Sequence, residues 1–304
     1  MTKLWHSDPA RAYAEWQFRE ATGADRRRFS QRSIVQHRAM FDRFHRYVIA
    51  RGTTLASFGP DVLDGFWLDG DAVRYTPATR MRYLKLIERL CRHLVAIGVR
   101  DVNPASEILC GQPWPAIDPE ALFLSEEMDK RLQEFVRPDV EDNPTKLQKR
   151  AIVALFLGTG VTASEGRAVR LRDVYPEASP PYLHVPARPP KTARTVHLEP
   201  FAVAALEAWL QLRRTYTHNG ALLFTLTRAG TPITDMSFGN IVREAFATVG
   251  CKAEDKGPRI LRNTYCRRQL LKGVAADEVS ARLGLTSNRT VARIAATIAI
   301  QKGR

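Results

Sequence analysis

Apolar residues recur at steps of three and four along most of the chain, which is the spacing of amphipathic helices. One long helix is expected to begin after a cap at Ser30 or Ser33 and to run to about Ala50. A second is expected over about residues 77–97, because Gly98 follows its last apolar position. Asn103-Pro104-Ala105 then has the cap and first-turn residues of a short helix. The first part of the chain is therefore predicted to be all-α.

Beyond residue 125 the apolar pattern predicts shorter helices and two β-like segments. The helices are expected from Ser125 onward and at about 147–158, 164–171, 201–214, 237–249, 259–272, 276–284 and 288–299. The β-like segments cover 182–185 and 194–198 and flank a proline-rich turn that carries Lys191. The predicted fold class is mainly α, with a helical domain followed by a mostly helical domain that contains a small antiparallel β-sheet.

The 304 residues suggest two domains. Residues 1–29 are polar and close with Arg26-Arg27-Arg28, and we expect an arm or a short helix there. The first domain is expected over 30–112, a linker over 113–124 and the second domain over 125–304.

Charge adds the first indication of function. The chain carries 46 basic and 32 acidic residues, a formal net charge of +14, and 36 of the basic residues are arginine. Arginine pairs bidentately with phosphates and with guanine edges, so nucleic acid is the favoured partner. Ordinary solvated helix faces remain the alternative. Binding to a membrane surface is disfavoured because the basic residues are dispersed and no separate amphipathic anchor is present.

Other classes of site find little support in the sequence. The four cysteines are too widely spaced for a CxxC pair, and the seven histidines form no HExxH motif or tight cluster. We therefore expect no metal site, no disulfide framework and no cofactor. The N-terminal residues form no apolar signal core, and no apolar run approaches the length of a membrane span, so a cytoplasmic, nucleoid-associated protein is expected.

Four segments in the second domain carry a more specific pattern. They are Gly158-Thr159-Gly160-Val161-Thr162-Ala163-Ser164-Glu165 with Leu171 and Asp173, Lys191 with Arg194, Val196 and Leu198, Pro258-Arg259-Ile260-Leu261-Arg262-Asn263-Thr264 with Leu270-Leu271-Lys272-Gly273, and Leu283-Gly284-Leu285-Thr286-Ser287. In this order, behind a helical domain, they resemble the boxes of the tyrosine recombinase (phage integrase, Xer-like) superfamily. The resemblance covers nearly all of residues 30–300 and implies a C-shaped clamp around DNA.

The resemblance also implies a mechanism for active members of that superfamily. A tyrosine attacks a phosphodiester, two arginines neutralise the phosphate, a lysine protonates the leaving hydroxyl, and two histidine-type positions assist. Carried over position by position, these roles fall on Thr162, Lys191, Arg259, Arg262, Leu285 and, for the nucleophile, Ile294. Only Lys191 and Arg262 keep the expected residue type, and no tyrosine follows Tyr265.

This chain is therefore interpreted as a catalytically degenerate member that has lost strand cleavage and retains DNA binding. Basic stripes on the two long helices and the basic residues of the boxes are expected to contact double-stranded DNA. They are Arg32, Arg43, Arg46, Arg80, Arg82, Lys85, Arg89, Arg92, Lys191, Arg194, Arg259 and Arg262.

Several roles fit such a protein. It would mark a target or attachment site for a mobile element, with a separate transposase, recombinase or transposon regulator as partner, or serve as an inactive subunit of a recombinase assembly. An active recombinase that uses divergent residues and a transcriptional regulator are the alternatives. A monomer or a DNA-dependent assembly is expected.

Overall fold

The computed structural model describes residues 2–22, 28–111, 121–188, 191–216, 221–253 and 256–302, without the side chains of 111 and 300–302. The chain divides into two compact units, an N-terminal unit of Met1–Asp118 and a C-terminal unit of Pro119–Arg304. Arg26, Arg27 and most of the expected linker, residues 113–120, lie outside the described residues.

Helices form all the regular structure described in the N-terminal unit. They are α1 (Thr2–Ser7), α2 (Pro9–Arg19), α3 (Gln31–Ala50), α4 (Pro60–Phe66), a 3-10 helix (Gly70–Arg74), α5 (Pro77–Ala96) and α6 (Pro104–Gly111). Ser30 rather than Ser33 caps α3, since its hydroxyl accepts a hydrogen bond from the Ser33 amide at 3.2 Å. Thr76 caps α5 in the same way, through the Thr79 amide at 3.3 Å.

Two helices precede α3 where an arm or one short helix was expected. The ring of Tyr13 stacks on Phe41 of α3, with centroids 4.0 Å apart. Trp5 and Trp16 are also buried in this core, at 4% and 7% exposure. Burying these aromatic side chains gives residues 2–19 a reason to fold onto α3.

The C-terminal unit is also mostly helical. Its helices are α7 (Glu126–Phe135), α8 (Pro144–Thr159), α9 (Ala163–Gly166), a 3-10 helix (Leu171–Asp173), α10 (Pro200–Arg214), α11 (Asp235–Thr248), α12 (Pro258–Leu271), α13 (Ala276–Leu283) and α14 (Arg289–Lys302). Every residue from Ala151 to Thr159 is buried, because α8 packs between α10, α11 and α12. This helix is the centre of the unit's hydrophobic core.

A three-stranded antiparallel sheet, β1 (Val174–Tyr175), β2 (Tyr182–Val185) and β3 (Arg194–His197), lies beside these helices. Leu183 pairs with Val196 in register, and both side chains point into the core. The strand β3 also packs against α13, which brings the turn before β3 and the end of α13 together. The predicted fold class, mainly α with a small antiparallel sheet, is confirmed. None of the described helices combines the length and apolar character needed to cross a membrane.

The stacking of Tyr13 on Phe41 predicts that α1 and α2 stabilise the N-terminal unit. Tyr13 is 1% exposed, so Tyr13→Ala should lower the free energy of unfolding of this unit by about 3 kcal/mol, as for other large-to-small aromatic changes in cores. Phe18→Ala is the control on the same helix, because Phe18 is 69% exposed, and should change stability by less than about 0.5 kcal/mol. Urea unfolding followed by circular dichroism measures both. Equal stability of the two variants would show that α2 is not part of the core.

Candidate functional site

The loop that follows α8 places Thr162 at the start of α9. Gly160 ends α8 in the left-handed region, with a φ of +63°. The Thr162 hydroxyl accepts a hydrogen bond from the Glu165 amide at 3.3 Å, and the Thr162 amide donates to Glu165 Oε2 at 2.8 Å. Together they form a capping box. The residue at the expected position of the first arginine is therefore a helix cap.

Glu165 is the centre of a buried charge cluster. Its side chain is 4% exposed, and Oε1 accepts a hydrogen bond from Arg194 Nη1 at 2.9 Å. Lys191 Nζ lies 3.5 Å from the same oxygen, while the Thr162 hydroxyl donates to Oε2 at 2.9 Å. Burial alone would raise the pKa of Glu165, but the hydrogen bonds from Arg194 and Thr162 outweigh it and lower the pKa to about 2. The carboxylate therefore stays ionised at neutral pH.

Arg194 joins β3 to the end of α13. Its Nε donates to the Arg282 carbonyl at 2.8 Å, in addition to the bond from Nη1 to Glu165. The guanidinium lies against Gly284, where an added Cβ would sit 2.6 Å from Nη1, and Gly284 has a φ of +62°. A glycine is needed there for both the backbone conformation and the close approach of the arginine. Within the described part of the chain, the buried Nη2 of Arg194 has no hydrogen-bond partner.

Arg262 of α12 joins the ends of two other helices. Its Nη1 donates to the Gly160 carbonyl, and its Nη2 donates to the Leu283 carbonyl at 2.8 Å. Burial lowers the pKa of Arg262 to about 10, against the field of the Glu165 carboxylate, which raises it. The guanidinium is still charged at neutral pH and holds the C-terminal ends of α8 and α13 together.

The structure thus brings three of the expected box cations together around one carboxylate. Lys191 and Arg194 contact Glu165 directly, and Arg262 interacts electrostatically with both Glu165 and Arg194. Three cations and one carboxylate leave two net positive charges, so the cluster attracts anions such as phosphate. Much of its hydrogen-bonding capacity, however, is used within the protein. The side chain of Lys191 is 35% exposed and is therefore more accessible than that of Arg194, which is 9% exposed.

Thr162 joins this cluster through its hydrogen bonds to Glu165, whereas Arg259, Leu285 and Ile294 do not join it by any described contact. Arg259 is exposed in the first turn of α12, one turn before Arg262. Leu285 is partly buried and packs against the hydrophobic core. Ile294 of α14 is 0% exposed in the same core. The position expected for the nucleophile is therefore filled by a buried aliphatic side chain, which has no group that attacks phosphorus.

In the N-terminal unit, the two basic stripes predicted on α3 and α5 line one cavity of about 800 Å³. The basic residues around it are Arg32 and Arg43 of α3, and Arg82, Lys85 and Arg89 of α5. We call this surface the basic groove. Because both helices are required to form it, cations that are 39 to 57 residues apart in sequence meet on one surface.

Three of the expected contact residues lie outside the basic groove. Arg92 borders a neighbouring cavity of about 580 Å³ and forms an ion pair with Glu88 at 2.9 Å. Arg46 borders a third cavity, of about 520 Å³. Arg80 turns back to donate to the Val73 carbonyl at 3.2 Å. Arg46 and Arg92 belong to the predicted stripes, but the side chains of all three residues face other surroundings.

Aromatic residues in the basic groove were not among those singled out from the sequence. Arg89 lies over the ring of Phe29, with its guanidinium carbon 4.8 Å from the ring centroid. Tyr75 and Tyr83 stack at 5.2 Å and both accept hydrogen bonds from Arg43 Nη1. Burial raises the pKa of Tyr83 to about 12, so its hydroxyl stays neutral. Two features of the sequence could have indicated these tyrosines. Tyr75 comes immediately before the α5 cap, and Tyr83 lies among the basic residues of the α5 stripe.

The roles of two residues in the C-terminal unit were likewise not predicted from the sequence. Glu165 served only to align the first box, although its carboxylate is the centre of the cluster. Arg188 donates to the Ser164 carbonyl at 2.8 Å and pairs through its backbone with Lys191, so it ties the turn before β3 to α9. In the part of the chain that the structure describes, no group of three or more His, Cys, Asp or Glu side chains is placed to hold a metal ion.

Comparison with known proteins assigns the family. The family model described as "Phage integrase family" matches residues 123–297, more than half of the chain. The chain belongs to the phage integrase family. This confirms the relationship expected from the four boxes, all of which lie within the matched residues. No curated protein sequence matches the chain.

Solved structures of family proteins share the fold at low sequence identity. The Tn1549 transposon integrase in complex with transposon right end DNA is 12% identical, with a TM-score of 0.70 over 96% of this chain and 94% of that one. The XerH site-specific recombinase bound to its difH substrate is 17% identical, with a TM-score of 0.67 over 87% and 77%. A lambda integrase dimer bound to a COC′ core site is 13% identical, with a TM-score of 0.67 over 96% and 94%.

The lowered pKa of Glu165 predicts a pH-dependent contribution to stability. A carboxylate whose pKa falls from 4.5 to about 2 on folding stabilises the folded state above pH 4.5, on the order of 3 kcal/mol, and this stabilisation is lost as the pH falls towards 2. Glu165→Gln should therefore be less stable than the wild type at pH 7, by an amount that shrinks towards pH 3. Urea unfolding at several pH values measures this difference.

Glu127→Gln provides the control for that experiment. Glu127 is 68% exposed and pairs with Arg131 on the surface of α7, so its loss should cost less than about 1 kcal/mol at any pH. A constant difference between Glu165→Gln and the wild type from pH 7 to pH 3 would contradict the assignment of a strongly lowered pKa.

Proposed function

We propose that the chain is a sequence-specific double-stranded DNA-binding protein on a tyrosine-recombinase scaffold that has lost strand cleavage. The buried Ile294 supports the loss of strand cleavage, because the covalent route requires a nucleophile at that position. The capping box at Thr162 supports it, since an arginine that would neutralise phosphate is replaced by a side chain bonded to its own helix.

DNA binding is supported by the charge of both units. The basic groove of the N-terminal unit presents five cations on one surface. In the C-terminal unit, Lys191, Arg194 and Arg262 surround Glu165 with two net positive charges, and Arg259 adds an exposed cation on α12. The three family structures described above are all complexes with DNA. Phosphate contacts of this kind position a protein on the duplex, and base contacts supply specificity.

Within this proposal, the protein marks a target or attachment site for a mobile element whose chemistry is carried out by a separate transposase or recombinase. A basic surface in a chain whose cleavage site is degenerate supports this role, since recognition is the activity that remains. The alternative is an active recombinase that uses divergent residues, which the retained Lys191 and Arg262 favour. Transcriptional regulation would use the same binding activity at a different location.

The salt dependence of binding tests the basic groove. Arg82 is exposed on α5 and lines the groove, so Arg82→Ala should weaken binding to all sequences alike and reduce the slope of log K against log salt concentration by about one. Arg11→Ala removes an exposed arginine that pairs with Glu15 on α2, away from the groove, and should leave the slope unchanged. Fluorescence anisotropy with a labelled duplex over a range of salt concentrations measures both. Identical slopes for the two variants would remove the groove from the DNA-binding surface.

Selection followed by a cleavage assay tests the whole proposal. Fragmented host and element DNA is captured on the purified protein near physiological salt and sequenced, and one strongly enriched site is expected. A nicked duplex carrying that site is then incubated with the protein, with an active recombinase on its own site as the positive control. No covalent protein–DNA adduct should appear on a denaturing gel. An adduct would establish the active recombinase instead, and uniform capture of all fragments would refute sequence specificity.

A further inference from the structure

Arg43 is held in one orientation by two tyrosines of the basic groove. Its Nη1 donates to the hydroxyl of Tyr75 and to the hydroxyl of Tyr83, the latter at 3.1 Å. The guanidinium carbon lies 5.8 Å from the centroid of the Tyr75 ring. The two hydroxyls are 3.3 Å apart, and the rings are nearly parallel, at 18°. Tyr83 is 3% exposed, so this support is anchored in the core of the unit.

These two hydrogen bonds use the hydrogens of Nη1. The opposite edge of the guanidinium does not take part in the bonds to the tyrosines. That edge, formed by Nε and Nη2, carries parallel N–H donors in the geometry that pairs with two adjacent acceptors. Arg43 itself is exposed and lines the basic groove. The tyrosines therefore present a fixed two-donor edge on the surface proposed to bind DNA.

A fixed guanidinium differs from the other cations of the groove in what it is suited to recognise. A phosphate accepts hydrogen bonds from many directions, so an exposed cation on α5 such as Arg82 is sufficient to bind it. The O6 and N7 atoms of guanine lie side by side in the major groove and match the coplanar pair of donors on one edge of a guanidinium. Fixing the arginine before binding removes the entropy cost of ordering it and favours that single geometry.

We propose that Arg43 reads a guanine in the major groove of the target duplex, with Tyr75 and Tyr83 as positioning residues that hold its Nε–Nη2 edge towards the base. This inference rests on the proposed DNA-binding function and adds the identity of one recognised base. In this arrangement Arg82 and Lys85 contact phosphates and contribute affinity without contributing to the choice of that base.

A matched pair of conservative substitutions tests the assignment. Arg43→Lys and Arg82→Lys make the same chemical change at two arginines of one groove, and both keep the positive charge. Each variant and the wild type are used to select sites from a random duplex pool. The wild type should select a motif that contains a guanine whose preference falls about ten-fold in Arg43→Lys, while Arg82→Lys keeps the wild-type motif.

Two further measurements separate base reading from charge. Replacing the selected guanine by 7-deazaguanine removes the N7 acceptor and should weaken wild-type binding roughly ten-fold, with little further effect on Arg43→Lys. The double variant Tyr75→Phe, Tyr83→Phe keeps both rings and removes the hydroxyls that orient Arg43. It should reduce the guanine preference while the salt slope stays at the wild-type value, because no charge is lost.

The outcomes distinguish failure of this inference from failure of the proposed function. If the wild type selects a motif that Arg43→Lys and Arg82→Lys both retain, the protein is a specific reader, and the assignment of Arg43 to a base is wrong. If the wild type selects no motif, the proposed function and this inference fail together. Thermal unfolding of each variant, with melting temperatures equal to the wild type, shows that a lost preference does not reflect a misfolded unit.

Discussion

The interaction between the buried carboxylate of Glu165 and the cations around it organises the site of the C-terminal unit. Lys191 comes from the turn before β3, Arg194 from β3 itself, and Arg262 from α12. Without an anion between them, three positive charges would repel one another where the surrounding protein screens them poorly. Removing one partner of a buried ion pair also leaves an uncompensated charge, which is costly. The carboxylate therefore accounts for how β3 and α12 present like charges on a common site.

Backbone carbonyls complete this arrangement. Arg262 bonds the carbonyls of Gly160 and Leu283, and Arg194 bonds that of Arg282. Both arginines thus satisfy carbonyl groups at or near helix ends that have no partner within their own helix. Arg262 and Arg194 consequently have a structural use that is independent of any reaction. Their presence in the chain does not by itself require that it cleaves DNA.

The long helices could be predicted from the sequence, but most of the contacts between elements could not. The helices α3 and α5 followed from apolar periodicity, from a serine cap before α3 and from Gly98 after α5, which are local signals. The two-residue strand β1 and the packing of Tyr13 on Phe41 depend on tertiary contacts that leave no periodic pattern. The basic stripes were each visible, but their convergence in one groove required the packing of α3 against α5. The hydrogen bonds from Arg262 to two main-chain carbonyls could not be predicted for a different reason. Every residue has a main-chain carbonyl, so the residue type does not indicate which one is bonded.

The capping box at Thr162 has an energetic consequence. An arginine at this position would remove the cap of α9, at a cost of roughly 0.5 to 2 kcal/mol. A tyrosine in place of the fully buried Ile294 would overpack the core, at a further cost of about 1 to 3 kcal/mol. Each of these two substitutions thus destabilises the fold by itself. Because total stabilities are only about 5 to 15 kcal/mol, we expect the fold to disfavour an arginine at position 162 and a tyrosine at position 294.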